Sequence, residues 1–128
     1  MKKILMLISL FTLIFVINCN GQPKTDYEIA TTSVSGVTKY HFFLEKKGTD
    51  AYSLTQGQDY LSPNVTSLKV GESASPIFTV NLNNDGAEYK VGVVYENAGG
   101  YYSGMGTAIG TVGVVPITPA TVIFRKKN

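Results

Sequence analysis

Beyond residue 24 the apolar side chains of this chain recur at every second position. No window carries them at i, i+3, i+4 and i+7 over three turns, so the pattern predicts strands and not helices. Tyr27, Ile29, Thr31 and Ser33 alternate as a first strand, closed by Ser35 and Gly36. Tyr40, Phe42 and Leu44 alternate with Lys39, His41 and Glu45, which predicts a half-buried strand ending at Lys46, Lys47 and Gly48. Residues 51–55 read as a short return strand, 56–64 as a loop broken by Gly57 and Pro63, and 65–70 as another short strand. After a loop over 71–76, residues 77–82 put Phe78, Val80 and Leu82 on one face. Asn83, Asn84, Asp85 and Gly86 form a strong turn signal. Tyr89, Val91, Val93 and Tyr95 make the longest alternating face in the chain, and 97–100 turn it. Residues 101–115 are a glycine-rich extended stretch, bent at some of its glycines. Pro116 and Pro119 bracket a corner before a final strand over 120–125. Short strands with frequent turn signals predict an all-β fold, a single antiparallel β-sandwich of seven or eight strands over 26–128.

The amino end follows a different pattern. Met1, Lys2 and Lys3 form a positive start, and 4–17 are apolar except for Ser9 and Thr12. That run suits the apolar region of a signal peptide and is shorter than the ~20 residues a membrane-spanning helix needs. It ends at Val16-Ile17-Asn18-Cys19, which resembles the lipobox of bacterial lipoproteins. The resemblance implies cleavage after residue 18, a diacylglycerol on the Cys19 thiol, and an envelope protein held by a lipid anchor. Asn18 departs from the Gly, Ala or Ser usual at its position. Residues 19–25 then form the lipidated cysteine and a short polar tether. Asn20 in place of an aspartate leans toward the outer membrane. Cys19 is the only cysteine of the chain, so it has no intramolecular disulfide partner.

Charge and composition narrow the chemistry. Lys2 and Lys3 belong to the leader, which leaves nine basic of the eleven against nine acidic side chains. A neutral domain with no basic block has no electrostatic reason to bind nucleic acid. His41 is the only histidine, and its place in the alternation predicts a surface residue. With one histidine and one committed cysteine, no zinc site of the usual ligands can be assembled, and no metal or cofactor is expected. No Gly-x-Ser-x-Gly elbow is present. Gly104, Gly106 and Gly110 miss the dinucleotide spacing and read as glycines easing strand curvature. The carboxylates are scattered along the chain, mostly in turns or on polar faces. Among the tyrosines, Tyr27, Tyr40, Tyr89 and Tyr95 fall on core or half-core positions. Tyr60, Tyr101 and Tyr102 fall in or beside loops, where tyrosine supplies contact area at low entropic cost. They are the candidate partner-binding residues.

The text Leu82-Asn83-Asn84-Asp85-Gly86-Ala87-Glu88-Tyr89-Lys90-Val91-Gly92-Val93-Val94-Tyr95-Glu96-Asn97 and the following Gly99-Gly100 turn resemble the E–F–G region of fibronectin type III domains. The resemblance implies that Leu82 ends strand E and that Tyr89 is the corner tyrosine, its hydroxyl bonded to backbone. It makes Val91, Val93 and Tyr95 the inward face of strand F, 40–44 strand C and 51–55 strand C′. The chain has no Trp for strand B, and only about eighteen residues precede strand C, room for one strand where the family has two. Following the strands up and down carries Tyr60, Tyr101 and Tyr102 toward one tip, the end farthest from the tether. The resulting expectation is a lipid-anchored, non-enzymatic binding or structural module of the bacterial envelope. Its partners are the membrane, through the anchor, and another envelope protein or a glycan. The alternatives are a small envelope hydrolase with a carboxylate pair and an eight-stranded outer-membrane barrel.

Overall fold

A computed structural model describes residues 23–116 and 121–127. Cys19 with its leader and the start of its tether, and the corner at Pro119, lie outside the described residues. Among the described residues seven strands follow one another: β1 (Lys24–Thr31), β2 (Val37–Lys46), β3 (Lys69–Ser73), β4 (Ile77–Asn83), β5 (Glu88–Asn97), β6 (Gly106–Thr111) and β7 (Val122–Lys126). Among the described residues one short helix, α1 (Pro63–Thr66), precedes β3. The strands form two antiparallel sheets, one of three in the order β4-β1-β7 and one of four in the order β3-β2-β5-β6. This is a β-sandwich. The two sheets stay separate, so the eight-stranded barrel is set aside.

The alternation does what it predicts between the sheets. Tyr40 and Phe42 from β2, Val91 and Val93 from β5, Tyr27 and Ile29 from β1, and Val80, Val122 and Phe124 from their strands make one buried cluster, with Leu44, Phe78, Leu82 and Tyr95 against it. Phe42 stacks on Phe78 across the gap with ring centroids 5.3 Å apart, and Tyr27 stacks on Phe124 at 5.2 Å. Each such aliphatic or aromatic side chain contributes about 1.5–3 kcal/mol by leaving water. Gly71 of β3 has no Cβ because the Phe78 ring occupies that space.

Two expectations are corrected, over 51–70 and at Tyr89, and the single strand expected before strand C is found. Residues 51–55 form no strand. The place beside β2 belongs to β3, which lies partly in the stretch read as loop, and the stretch read as a strand from 65 begins inside α1. The neighbour of β1 that the fibronectin resemblance would call strand A does not precede it in the chain. That place is taken by β7, which pairs antiparallel with β1 from Thr31↔Val122 to Tyr27↔Lys126. Tyr89 is buried at its corner with 8 % exposure, but among the described residues its hydroxyl makes no hydrogen bond. Backbone amides are instead taken by two other tyrosines. The Tyr27 hydroxyl accepts the Gly113 N–H at 2.9 Å, and the Tyr40 hydroxyl accepts the Val34 N–H at 3.0 Å.

The long connection from Lys47 to Leu68 sets this sandwich apart. It crosses the outer face of the four-stranded sheet and buries that face as well. Phe43, Val94, Leu54, Val65 and Met105 form a second core there, with Tyr60 and Leu68 packed on it. Glu45 pins the start of the connection, its carboxylate accepting the amides of Ser53 at 2.8 Å and Leu54 at 2.9 Å. Gly57 N–H donates to the Met105 carbonyl at 2.7 Å, and Met105 N–H returns a bond to Gln58 at 3.2 Å. Gly92 admits the Met105 side chain, since a Cβ there would meet its sulfur at 2.7 Å.

Candidate functional site

His41 lies on β2 with its side chain on the covered outer face, opposite Glu72 of β3 and Val94 of β5. It is 3 % exposed, against the expectation of a surface residue. The alternation placed it on the correct face; the 47–68 connection and the segment after β5 cover that face. Tyr60 arrives from the connection and Tyr102 from the returning chain, where a bridge between Glu96 and Tyr102 fixes its height. The amide of Tyr95 donates to Ser103 Oγ at 3.0 Å, and the Ser103 amide donates to the Tyr95 carbonyl at 2.8 Å, which holds this return against β5.

The two tyrosine rings stack with centroids 4.5 Å apart and planes 5° from parallel. The His41 ring packs at 4.6 Å from Tyr60 and 5.8 Å from Tyr102. Polar atoms continue the contact in a chain. Glu96 Oε1 lies 3.0 Å from His41 Nε2, and the Tyr60 hydroxyl lies 3.3 Å from Nδ1. Lys69 Nζ donates to the Tyr60 hydroxyl at 3.2 Å and to Glu72 Oε2 at 2.7 Å. Lys39 closes the chain on Glu72 Oε1 at 3.2 Å. A neutral imidazole with its proton on Nε2 donates to Glu96 and leaves Nδ1 to accept from Tyr60. A doubly protonated ring donates to Glu96 and faces Glu72 Oε2, 3.4 Å from Nδ1. The hydrogen bonds from Lys69 and then Lys39 hold the Glu72 carboxyl down to about 2. Burial pushes the Lys69 ammonium down, but the bonds to Glu72 and Tyr60 win and raise it.

Two of the three candidate tyrosines therefore converge, and they do so on the sheet face and not at a loop tip. Tyr101 stands apart and 76 % exposed on the turn after β5, its amide held by Asn97 Oδ1 at 3.1 Å. Tyr102 keeps 45 % of its surface in solvent above the buried histidine. His41, Glu72, Glu96 and Lys69 were not legible as one group, because they come from three strands whose neighbours the alternation does not name. Cys19 lies outside the described residues. Among the described residues no group of three or more His, Cys, Asp or Glu side chains is placed to hold a metal ion.

A concavity of about 430 Å³ runs between β6 and β7. Ala108, Gly110, Val114, Val122 and Phe124 are among its lining residues, and no titratable side chain is. It offers no chemistry, whereas the His41 cluster concentrates it. Comparison of the chain with protein-family models, with curated proteins and with solved structures finds no match.

Proposed function

We propose that this chain is a lipid-anchored β-sandwich of a bacterial envelope, a non-enzymatic binding module whose recognition surface is the Tyr60–Tyr102 face of the four-stranded sheet. The observation that carries the reading is Tyr102. The residue is 45 % exposed, yet its ring lies flat on Tyr60, which is itself held by His41 and Lys69. An exposed aromatic side chain that is already ordered gives up little conformational entropy on contact, and such anchors dominate interface energies. The partner is another envelope protein or a glycan. The anchor rests on the Val16-Ile17-Asn18-Cys19 pattern and on the short apolar run before it.

A carboxylate-pair hydrolase finds one observation in its favour, since Glu72 and Glu96 both border His41. It needs one carboxyl that holds a proton near neutral pH. Glu72, held down to about 2 by Lys69 and Lys39, is not that acid, which leaves the role to Glu96, whose Oε1 already lies 3.0 Å from His41 Nε2; the binding reading rests on Tyr102.

Two measurements test the proposal. Metabolic labelling with a fatty-acid analogue is expected to mark the protein, and Cys19→Ala to abolish the mark; label retained in that variant removes the anchor from the reading. In capture from the native envelope, Tyr102→Ser is expected to lose the partner while circular dichroism stays that of the parent. Tyr101→Ser is expected to retain it. Undiminished capture by a folded Tyr102→Ser variant moves recognition elsewhere.

A further inference from the structure

We propose that Tyr60 and Tyr102 are a site of oxidative cross-linking, at which a peroxide-driven one-electron oxidant joins the two rings through a carbon–carbon bond. The inference goes beyond the binding reading and stands without it. Geometry is the first support. The ring planes are 5° from parallel with centroids 4.5 Å apart, so ring carbons of one phenol already face those of the other. Two phenoxyl radicals in solution must first meet, and here the encounter is built into the fold. The second support is a base in place. A phenol that loses an electron must also lose its proton, and His41 Nδ1 lies 3.3 Å from the Tyr60 oxygen. Glu96, 3.0 Å from Nε2, orients the imidazole for that transfer. Access is the third. Tyr102 is 45 % exposed, so an oxidant reaches one ring of the pair directly. The core pair Tyr40 and Tyr95 shows the contrast: those rings meet edge to face at 6.5 Å, and Tyr40 is only 2 % exposed.

The step balances as follows. Each phenol gives up its hydroxyl hydrogen, the electron passing to the oxidant. The proton passes to His41 and on to water from Tyr60, and straight to water from Tyr102. The unpaired electrons join in a bond between the ring carbons ortho to the two oxygens. The hydrogens on those carbons shift to the oxygens and restore both hydroxyls. In sum, two tyrosines and one hydrogen peroxide become one dityrosine and two waters, with a haem peroxidase relaying the electrons. The product staples the 47–68 connection to the segment after β5 and locks the cover over His41.

The test uses the purified full chain, dilute, with a haem peroxidase and limiting hydrogen peroxide. The expected product is a monomer lighter by two hydrogens, with blue dityrosine fluorescence and a linked peptide containing Tyr60 and Tyr102. Its yield per molecule is expected to stay constant on dilution. Tyr60→Phe and Tyr102→Phe are each expected to abolish it, and Tyr101→Phe to leave it. Tyr102→Phe alters an exposed side chain and keeps the test readable if Tyr60→Phe fails to fold. Glu96→Gln, which keeps the stack but weakens the orientation of the base, is expected to slow the reaction by about tenfold or more. The proposal is overturned if the intramolecular product survives Tyr102→Phe, if it maps to Tyr101, or if urea-unfolded chain gives the same linkage in the same yield.

Discussion

At Tyr27 and Tyr40 a phenol oxygen closes an end of the sandwich by accepting an amide of the crossing chain, from Gly113 and from Val34. Tyr89, buried to a similar degree, brings only its ring to the core. Substitution should separate the two kinds. Tyr27→Phe leaves the Gly113 N–H without its acceptor and is expected to lower stability by about 1–3 kcal/mol. Tyr89→Phe, by the same denaturant melts, is expected to stay close to the parent. An equal loss in both would mean that the Tyr89 hydroxyl contributes as much as the bonded one, and no loss in either would mean that the rings and not the hydroxyls matter. Glu72 carries a second residue-scale consequence. Its carboxyl falls from 4.5 to about 2 on folding, so its pairing with Lys69 and Lys39 stabilises the native state fully above that range. The contribution is lost as pH falls from about 4.5 toward 2. Glu72→Gln is expected to flatten the acid limb of the stability–pH curve in that window and to leave its shape unchanged above it.

Among the elements, the 47–68 connection has the most to explain. Period-two alternation made β1, β2, β4 and β5 legible, including which side chains of each face the other sheet. It treats the second face as solvent, and that assumption misplaced His41. A signal was present in the doublets Phe42-Phe43 and Val93-Val94, since apolar residues at consecutive strand positions mark a sheet buried on both sides. The covering segment has no period of its own, so nothing in its sequence says what it lies on. The glutamate that pins it, Glu45, stands in a strand and acts on Ser53 and Leu54 through backbone amides that any residue supplies. Leu54 is fully buried in the second core. Leu54→Ala is expected to cost about 2–5 kcal/mol in equilibrium unfolding. It is also expected to speed hydrogen exchange across the connection more than in β1 and β4. Uniform acceleration through both sheets would show that the cover does not open on its own.

For the whole molecule, the sheet order carries information that the order of residues conceals. The shortage of chain before β2 was plain in the sequence, and it implied one missing strand. That the strand would come from the far end was not, because β7 carries an ordinary apolar alternation with no mark of its partner. Strand directions carried Tyr60, Tyr101 and Tyr102 to a loop tip through a strand over 51–55 that does not form; Tyr60 and Tyr102 meet instead on the sheet face, and the departure of Tyr101 depends on the Asn97 turn that holds its amide. Closure of β1 by β7 has a temporal meaning as well. A chain that emerges amino end first, from a ribosome or through a pore, exposes β1 long before its partner: Glu28 waits 97 positions for Arg125. Until then β1 has β4 on one edge and nothing on the other. The three-stranded sheet is the last part of the sandwich to be completed, and contacts this distant in sequence form slowly. β1 is thus held on one edge only until β7 is free to turn back to it, although the four-stranded sheet needs nothing beyond Thr111.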